Sequence, residues 1–254
     1  MGAAHSIPTD PNRTLKVIGA GYSRTGTLSM TLALEKLLDG PVMHGGSQFL
    51  GREDSYVKLW SDILEARHDK PVLLKLLREA TKGFVGVTDA PANCFIPELL
   101  ELYPDAVVVA VRRDRAAWWK SWSSVTEMAD AGFLKWFLAP VPGKRWYPTL
   151  VTQFLDQQQE QFGPMTENRM DEHNEFVEKV TPRDKFTLME LSDGWDPLCK
   201  LLNLPIPEEP FPQVNDSEAV EGLQMTILKE AGVRWLAITT GAGALGYTAW
   251  RYAI

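Results

Sequence analysis

The segment Gly19-Ala-Gly-Tyr-Ser-Arg-Thr-Gly-Thr-Leu-Ser29 constrains this chain more than any other stretch. A short apolar run at residues 15–19 leads into it. A stripe of Met30, Leu34, Leu37 and Leu38 follows it. The run predicts a strand and the stripe predicts a helix over 27–38, so the glycines fall where a strand becomes a helix. At such a junction, backbone N–H groups lack intrahelical acceptors and the helix dipole adds partial positive charge. Together these make an anion site. Arg24 contributes a fixed cation, and Ser23, Thr25, Thr27 and Ser29 contribute hydroxyl donors. A purely structural glycine turn is the competing reading.

Two familiar phosphate loops fail on residue identity. A Walker A loop, Gly-x4-Gly-Lys-Ser/Thr, is matched at Gly21 and Gly26. However, Thr27 and Leu28 stand where the lysine and the magnesium-binding hydroxyl belong. The dinucleotide fingerprint Gly-x-Gly-x-x-Gly is matched at Gly19 and Gly21. Its third glycine is replaced by Arg24, where close helix–strand packing wants no side chain. Nucleotide triphosphatases and dehydrogenases are both disfavoured on these grounds.

Apolar, β-branched runs at 84–88, 106–111 and 186–191 predict further strands. Helices are predicted near 55–66, 72–81, 94–103, 166–180 and 195–203. A loop with Pro205, Pro207, Pro210 and Pro212 follows, then a last helical pattern from about Ser217. Strands alternating with helices predict an α/β fold of three layers, a central parallel sheet flanked by helices. Residues 1–13, polar with Pro8 and Pro11, read as an arm, residues 14–232 as the domain, and residues 233–254 as a C-terminal hydrophobic helix. A net charge of −7 disfavours a nucleic-acid partner. Cys94 and Cys199 lie far apart without metal-ligand spacing, and no secretory signal opens the chain. They read as reduced thiols of a cytosolic protein. No residue pattern sets an oligomeric state.

The run Ser23-Arg-Thr-Gly-Thr27 is similar to the 5′-phosphosulfate loop of P-loop sulfotransferases, usually Pro-Lys-Ser-Gly-Thr, with Arg24 in the lysine's place. The resemblance continues through residues 90–121 and 173–220. It is strongest to a eukaryotic subgroup often mislabelled as NAD-dependent epimerase/dehydratase. The hallmarks of that subgroup stand here as Arg24-Thr-Gly-Thr27, Asp89-Ala-Pro91, Tyr103-Pro-Asp-Ala106, Arg113-Asp114, Asp193-Gly-Trp-Asp-Pro-Leu-Cys199 and Phe211-Pro-x-x-Asn215-Asp216. The resemblance implies a P-loop-type fold and 3′-phosphoadenylyl sulfate as donor, with no metal required. It further implies transfer of the sulfuryl group to a hydroxyl of a small, hydrophobic acceptor, as in secondary metabolism. It assigns Ser23, Arg24, Thr25, Gly26, Thr27, Leu28 and Ser29 to the phosphosulfate end of the donor. Arg113 and Ser121 are assigned to its 3′-phosphate, while Arg112 stands one residue out of register. A guanidinium fork beside a hydroxyl suits a phosphate, and a surface-charged strand end is the competing reading. The Arg-Lys-Gly loop of the cytosolic enzymes has no counterpart.

Sulfuryl transfer needs alignment and stabilisation of charge on the bridging oxygen, a role for Arg24. Thr88-Asp89-Ala-Pro91 resembles the Thr-His-x-Pro segment that carries the base in cytosolic sulfotransferases, with Asp89 in place of the histidine. Asp89 reads equally as a helix N-cap ahead of Pro91. His44, after the apolar Val42-Met43, reads as the base or its assistant, or as a packed core histidine. Trp118, Trp119, Trp122, Trp136 and Trp146 crowd the stretch 118–147. They read as flat apolar walls for the acceptor, with core packing claiming a share of them. A non-catalytic adenine-nucleotide-binding protein and a small-molecule kinase are the rival functions. The missing lysine after Gly26 counts against the kinase.

Both ends carry membrane signals. Met1-Gly-Ala-Ala-His-Ser6 matches the pattern for myristoylation at Gly2. Residues 235–250 hold no formal charge, begin and end on Trp235 and Trp250, and lie between Arg234 and Arg251. As a helix this run would measure ~24 Å, against roughly 30 Å of hydrocarbon. It predicts a short tail anchor or an interfacial helix on a membrane facing the cytosol, with a final helix packed on the domain as the competing reading.

Overall fold

The computed structural model describes residues 6–129, 132–214 and 216–253. Five strands, β1 (Val17–Gly19), β2 (Val42–His44), β3 (Gly86–Thr88), β4 (Val107–Val111) and β5 (Phe186–Met189), form one sheet in the order β2-β3-β1-β4-β5. Every pairing is parallel. The helices are α1 (Thr27–Leu38), α2 (Gly45–Gly51), α3 (Asp54–Glu65), α4 (Lys70–Ala80), α5 (Ile96–Leu102), α6 (Arg115–Ala129), α7 (Phe133–Phe137), α8 (Tyr147–Phe162), α9 (Arg169–Val180), α10 (Asp196–Leu202) and α11 (Asp216–Ala253).

Successive strand residues point to opposite faces, and both faces are buried. Val17, Val42, Val109 and Val111 pack with Met30 and Leu34 of α1 and Leu198 of α10. Their neighbours Ile18, Met43, Val108 and Ala110 face the other way. They meet Trp60 of α3, Leu77 of α4, Leu99 of α5, Trp118 of α6, Phe154 of α8 and Val177 of α9. The result is the expected three-layer α/β architecture, with β1 and its loop at the centre of the sheet.

Three features depart from the expectation. The strand β2 is absent from the sequence reading because three residues are too short to show alternation, yet it delivers His44. The helices α2, α7 and α8 are also new. Of these, α8 opens with Tyr147 and Pro148 and continues through a Gln-rich stretch that carries a weak apolar stripe. Finally, α11 runs unbroken through the boundary expected at 232/233. Among the described residues no helix is long and apolar enough to cross a membrane. Thr239, Thr240, Gly241 and Gly243 dilute the run that suggested a spanning anchor. Gly2 lies outside the described residues, as does Asn215 of the proline-rich segment.

Candidate active site

A parallel sheet presents the C-terminal ends of all its strands along one edge, where ligands of such folds bind. Four strands bring the expected site residues there. β1 leads into the glycine loop, β2 ends on His44, β3 precedes Asp89, and β4 precedes Arg112 and Arg113. Gly19 pairs with Thr88 and Val109, and His44 pairs with Thr88, so Asp89 emerges beside His44.

The loop holds an unusual backbone. Gly26 caps α1 with φ 91°, and a Cβ there would collide with Leu191. Arg24 sits in the left-handed region at φ 73° and Asp89 at φ 69°. For a residue with a side chain this conformation costs roughly 1 kcal/mol, so surrounding contacts must hold it. Arg113 Nη1 donates to the Arg24 carbonyl at 2.8 Å, and Trp118 Nε1 donates to the Ser23 carbonyl at 3.0 Å. His173 of α9 is buried, which pushes its pKa down to about 4. Its Nε2 lies 2.7 Å from the Ala20 carbonyl, so the neutral ring donates there and fixes the start of the loop.

Arg24 Nε donates to Ser121 Oγ at 3.1 Å. With the Arg113 bond, this brings Arg24, Arg113 and Ser121, all expected to meet the donor, into one cationic patch. Arg112, in contrast, turns to Glu190 at 3.3 Å. The four loop hydroxyls behave differently from one another. Thr25 is buried and donates to the Tyr22 carbonyl at 2.7 Å, so its hydroxyl closes the turn instead of facing outward. Ser29 is buried, and its Oγ accepts the Val214 amide at 3.0 Å. Thr27 Oγ1 lies 3.1 Å from His44 Nε2. Ser23 Oγ donates to Asp89 Oδ1 at 2.5 Å. The first-turn amides of α1, including that of Leu28, have no intrahelical acceptors.

His44 Nε2 also approaches Asp89 Oδ2 at 3.4 Å. The Ser47 amide donates to His44 Nδ1 at 3.2 Å, so the imidazole carries its proton on Nε2, towards Thr27 and Asp89. The Asp89 side chain is 14% exposed and lies between Ser23 and His44. It caps nothing, because the following 3₁₀ turn, Ala92–Cys94, has no side-chain cap. The N-cap reading of Asp89 is therefore corrected: its carboxylate turns towards the loop.

Most of the tryptophan-rich stretch does structural work. Trp118 and Trp122 are buried and pack their rings 5.6 and 5.4 Å from Tyr22, beneath the loop. Trp146 donates to Asp54 at 3.1 Å, and Trp136 stacks on Trp235. The acceptor wall expected from these rings shrinks accordingly. Tyr147, a residue without a role in the sequence reading, lies within the electrostatic reach of the site. Burial and the Asp89 carboxylate push its phenol pKa up, while Arg24 opposes them. A latch positions it. Asp54 accepts from Gly143 N at 2.7 Å, Arg145 Nε at 2.9 Å and Trp146 Nε1, and also from Arg145 Nη2. These donors, Arg145 first, hold the Asp54 carboxyl below its usual range. Both cysteines are free and buried.

A glycine-rich strand–loop–helix junction on the central strand, braced by an arginine from the neighbouring strand, defines a P-loop-type α/β domain. The family described as Sulfotransferase domain matches residues 16–220. The chain belongs to that family of transferases. It is 27% identical over 220 residues to "Ava biosynthesis cluster protein M" of Aspergillus versicolor, covering 80% of this chain and 82% of that one. A crystal structure of a sulfotransferase from Alicyclobacillus acidocaldarius is 13% identical with a TM-score of 0.39, covering 89% of this chain and 96% of that chain. That likeness is too distant to bear on the site.

Proposed function

We propose that the protein moves a sulfuryl group from 3′-phosphoadenylyl sulfate to a hydroxyl of a small, hydrophobic acceptor, with Asp89 as the general base. The observation that carries this reading is the connected path from Arg113 and Ser121 through Arg24 and Ser23 to Asp89 and His44. It sets groups suited to the donor's two anionic ends beside a carboxylate able to take a proton. In the step, the acceptor oxygen forms the new S–O bond as its proton passes to Asp89. The bond from sulfur to the bridging phosphate oxygen breaks, and the electron pair leaves with 3′,5′-bisphosphoadenosine. Arg24 offsets the charge growing on that oxygen, an electrostatic contribution because a guanidinium does not give up its proton. His44, its proton held on Nε2, orients the base. The name of the Aspergillus relative ties that protein to a biosynthesis cluster, in keeping with an acceptor from small-molecule biosynthesis.

Labelled donor offered with a panel of phenols and alcohols tests the transfer directly. Thermal-shift titration should show stabilisation by 3′,5′-bisphosphoadenosine and none by ATP with magnesium. Asp89→Asn should lower turnover by about 10²–10⁴-fold while donor affinity is kept. Unchanged turnover in that variant would remove Asp89 from the mechanism. Nucleotide binding with no transfer to any acceptor would instead favour a non-catalytic binding protein.

A further inference from the structure

The far half of α11 takes no part in this chemistry. Its near half is docked: Ile227 and Ala231 are buried against Leu138 and Val141, and Glu230 pairs with Lys144 at 2.8 Å. Trp235 closes the joint. Its Nε1 donates to the Phe137 carbonyl at 2.9 Å, and its ring stacks on Trp136 at 4.5 Å. Beyond that joint every residue from 236 to 245 is exposed. Leu236 is 68% exposed and Ile238 48%, and around the joint Phe133, Trp136 and Val233 each exceed 60%.

We infer that this end of the molecule seats in the interfacial layer of an anionic lipid bilayer, without crossing it. Two residues apart on a helix is about 200° of rotation, so Leu236 and Ile238 point nearly opposite ways. A groove on a partner protein covers one stripe of a helix, whereas a fluid lipid layer can meet apolar side chains on opposite sides of it. The run 235–250 carries no formal charge, and Lys135 and Lys229 stand exposed at its base, where headgroup phosphates would lie, beside Arg234, which pairs with Glu230 at 3.2 Å. The stacked Trp136 and Trp235 sit at that boundary, the depth at which indole rings concentrate. The run is too short and too dilute in apolar residues to span, which confines it to the interface.

The test is flotation of the unacylated full-length chain with two kinds of vesicle, phosphatidylcholine containing phosphatidylserine and phosphatidylcholine alone. The protein should float with the anionic vesicles, less so at high salt. The double variant Leu236→Glu/Ile238→Glu should bind about tenfold more weakly. Its far-UV circular dichroism and unfolding midpoint should stay at the wild-type values, separating lost binding from lost folding. Three results would overturn the inference. They are no flotation at all, flotation indifferent to the double variant or to lipid charge, and a dimer in light scattering that the double variant dissolves. The last would hand the surface to a second copy of the chain.

Discussion

The Ser47 amide points at Nδ1 of His44 and leaves the imidazole proton on Nε2, facing Thr27 and Asp89. A group so arranged donates, and the proton acceptor of the pair is Asp89. Replacement of His44 by Gln keeps an amide donor near the position of Nε2, while Ala keeps none. Turnover should therefore fall less in His44→Gln than in His44→Ala, with the donor KM little changed in both. Steady-state kinetics decides this, and equal losses in the two variants would deny the orienting role. Arg24 makes a second residue-scale case. Lysine at this position keeps the charge but loses the Nε donor that reaches Ser121 at 3.1 Å. Arg24→Lys should retain donor binding yet lose about tenfold in kcat, and Arg24→Ala about 10²–10³-fold. A Lys variant with wild-type kcat would show that charge alone suffices there.

At the scale of elements, what the sequence disclosed follows how far each segment advertises its period. β1 and β4 are Val- and Ile-rich runs buried on both faces, and α1 has a clear stripe, so the loop between β1 and α1 could be placed at once. β2 has three residues and no pattern, and the sheet order that brings His44 to Asp89 is a long-range property that no local window contains. Tyr147 escaped for a similar reason. It follows directly on the segment that Asp54 ties to α3, some ninety residues away in sequence. The strap that ends at Val214 could not be anticipated either, and it yields a prediction. The Val214 amide donates to the buried Ser29 Oγ at 3.0 Å and so fixes the hydroxyl that the sequence assigns to the donor. Val214→Pro removes that donor, and Val214→Ala keeps it. If one neutral hydrogen bond of about 1 kcal/mol is lost, donor affinity should fall roughly fivefold in Val214→Pro and in Ser29→Ala. The double variant should be no worse than either, because both break the same link. Calorimetric titration of 3′,5′-bisphosphoadenosine measures the wild type and the four variants, and additive losses would contradict the link.

For the whole molecule, the central loop is tied to the helical layer behind it through His173, and that tie gives the fold a dependence on acid. The imidazole is 1% exposed, and burial lowers its pKa to about 4 from an ordinary 6.5, with nearby Arg169 acting in the same direction and the Ala20 carbonyl opposing. Below pH 6.5 the unfolded chain takes up a proton that the folded chain refuses until about pH 4. Stability contributed by the neutral histidine is thus complete above 6.5 and declines as pH falls towards 4, by about 1.4 kcal/mol per unit. Carboxylates held low by their partners, such as Asp54 and Glu230, act in the same direction but only near and below their ordinary values around 4. Between pH 6.5 and 5 the loss should therefore belong chiefly to His173 and amount to roughly 2 kcal/mol. His173→Gln keeps an amide within reach of the Ala20 carbonyl and cannot ionise, so its stability should stay flat across that window even if it starts lower. Urea unfolding of both proteins at half-unit steps of pH makes the comparison. Parallel slopes for wild type and variant would mean that the acid response arises elsewhere in the fold.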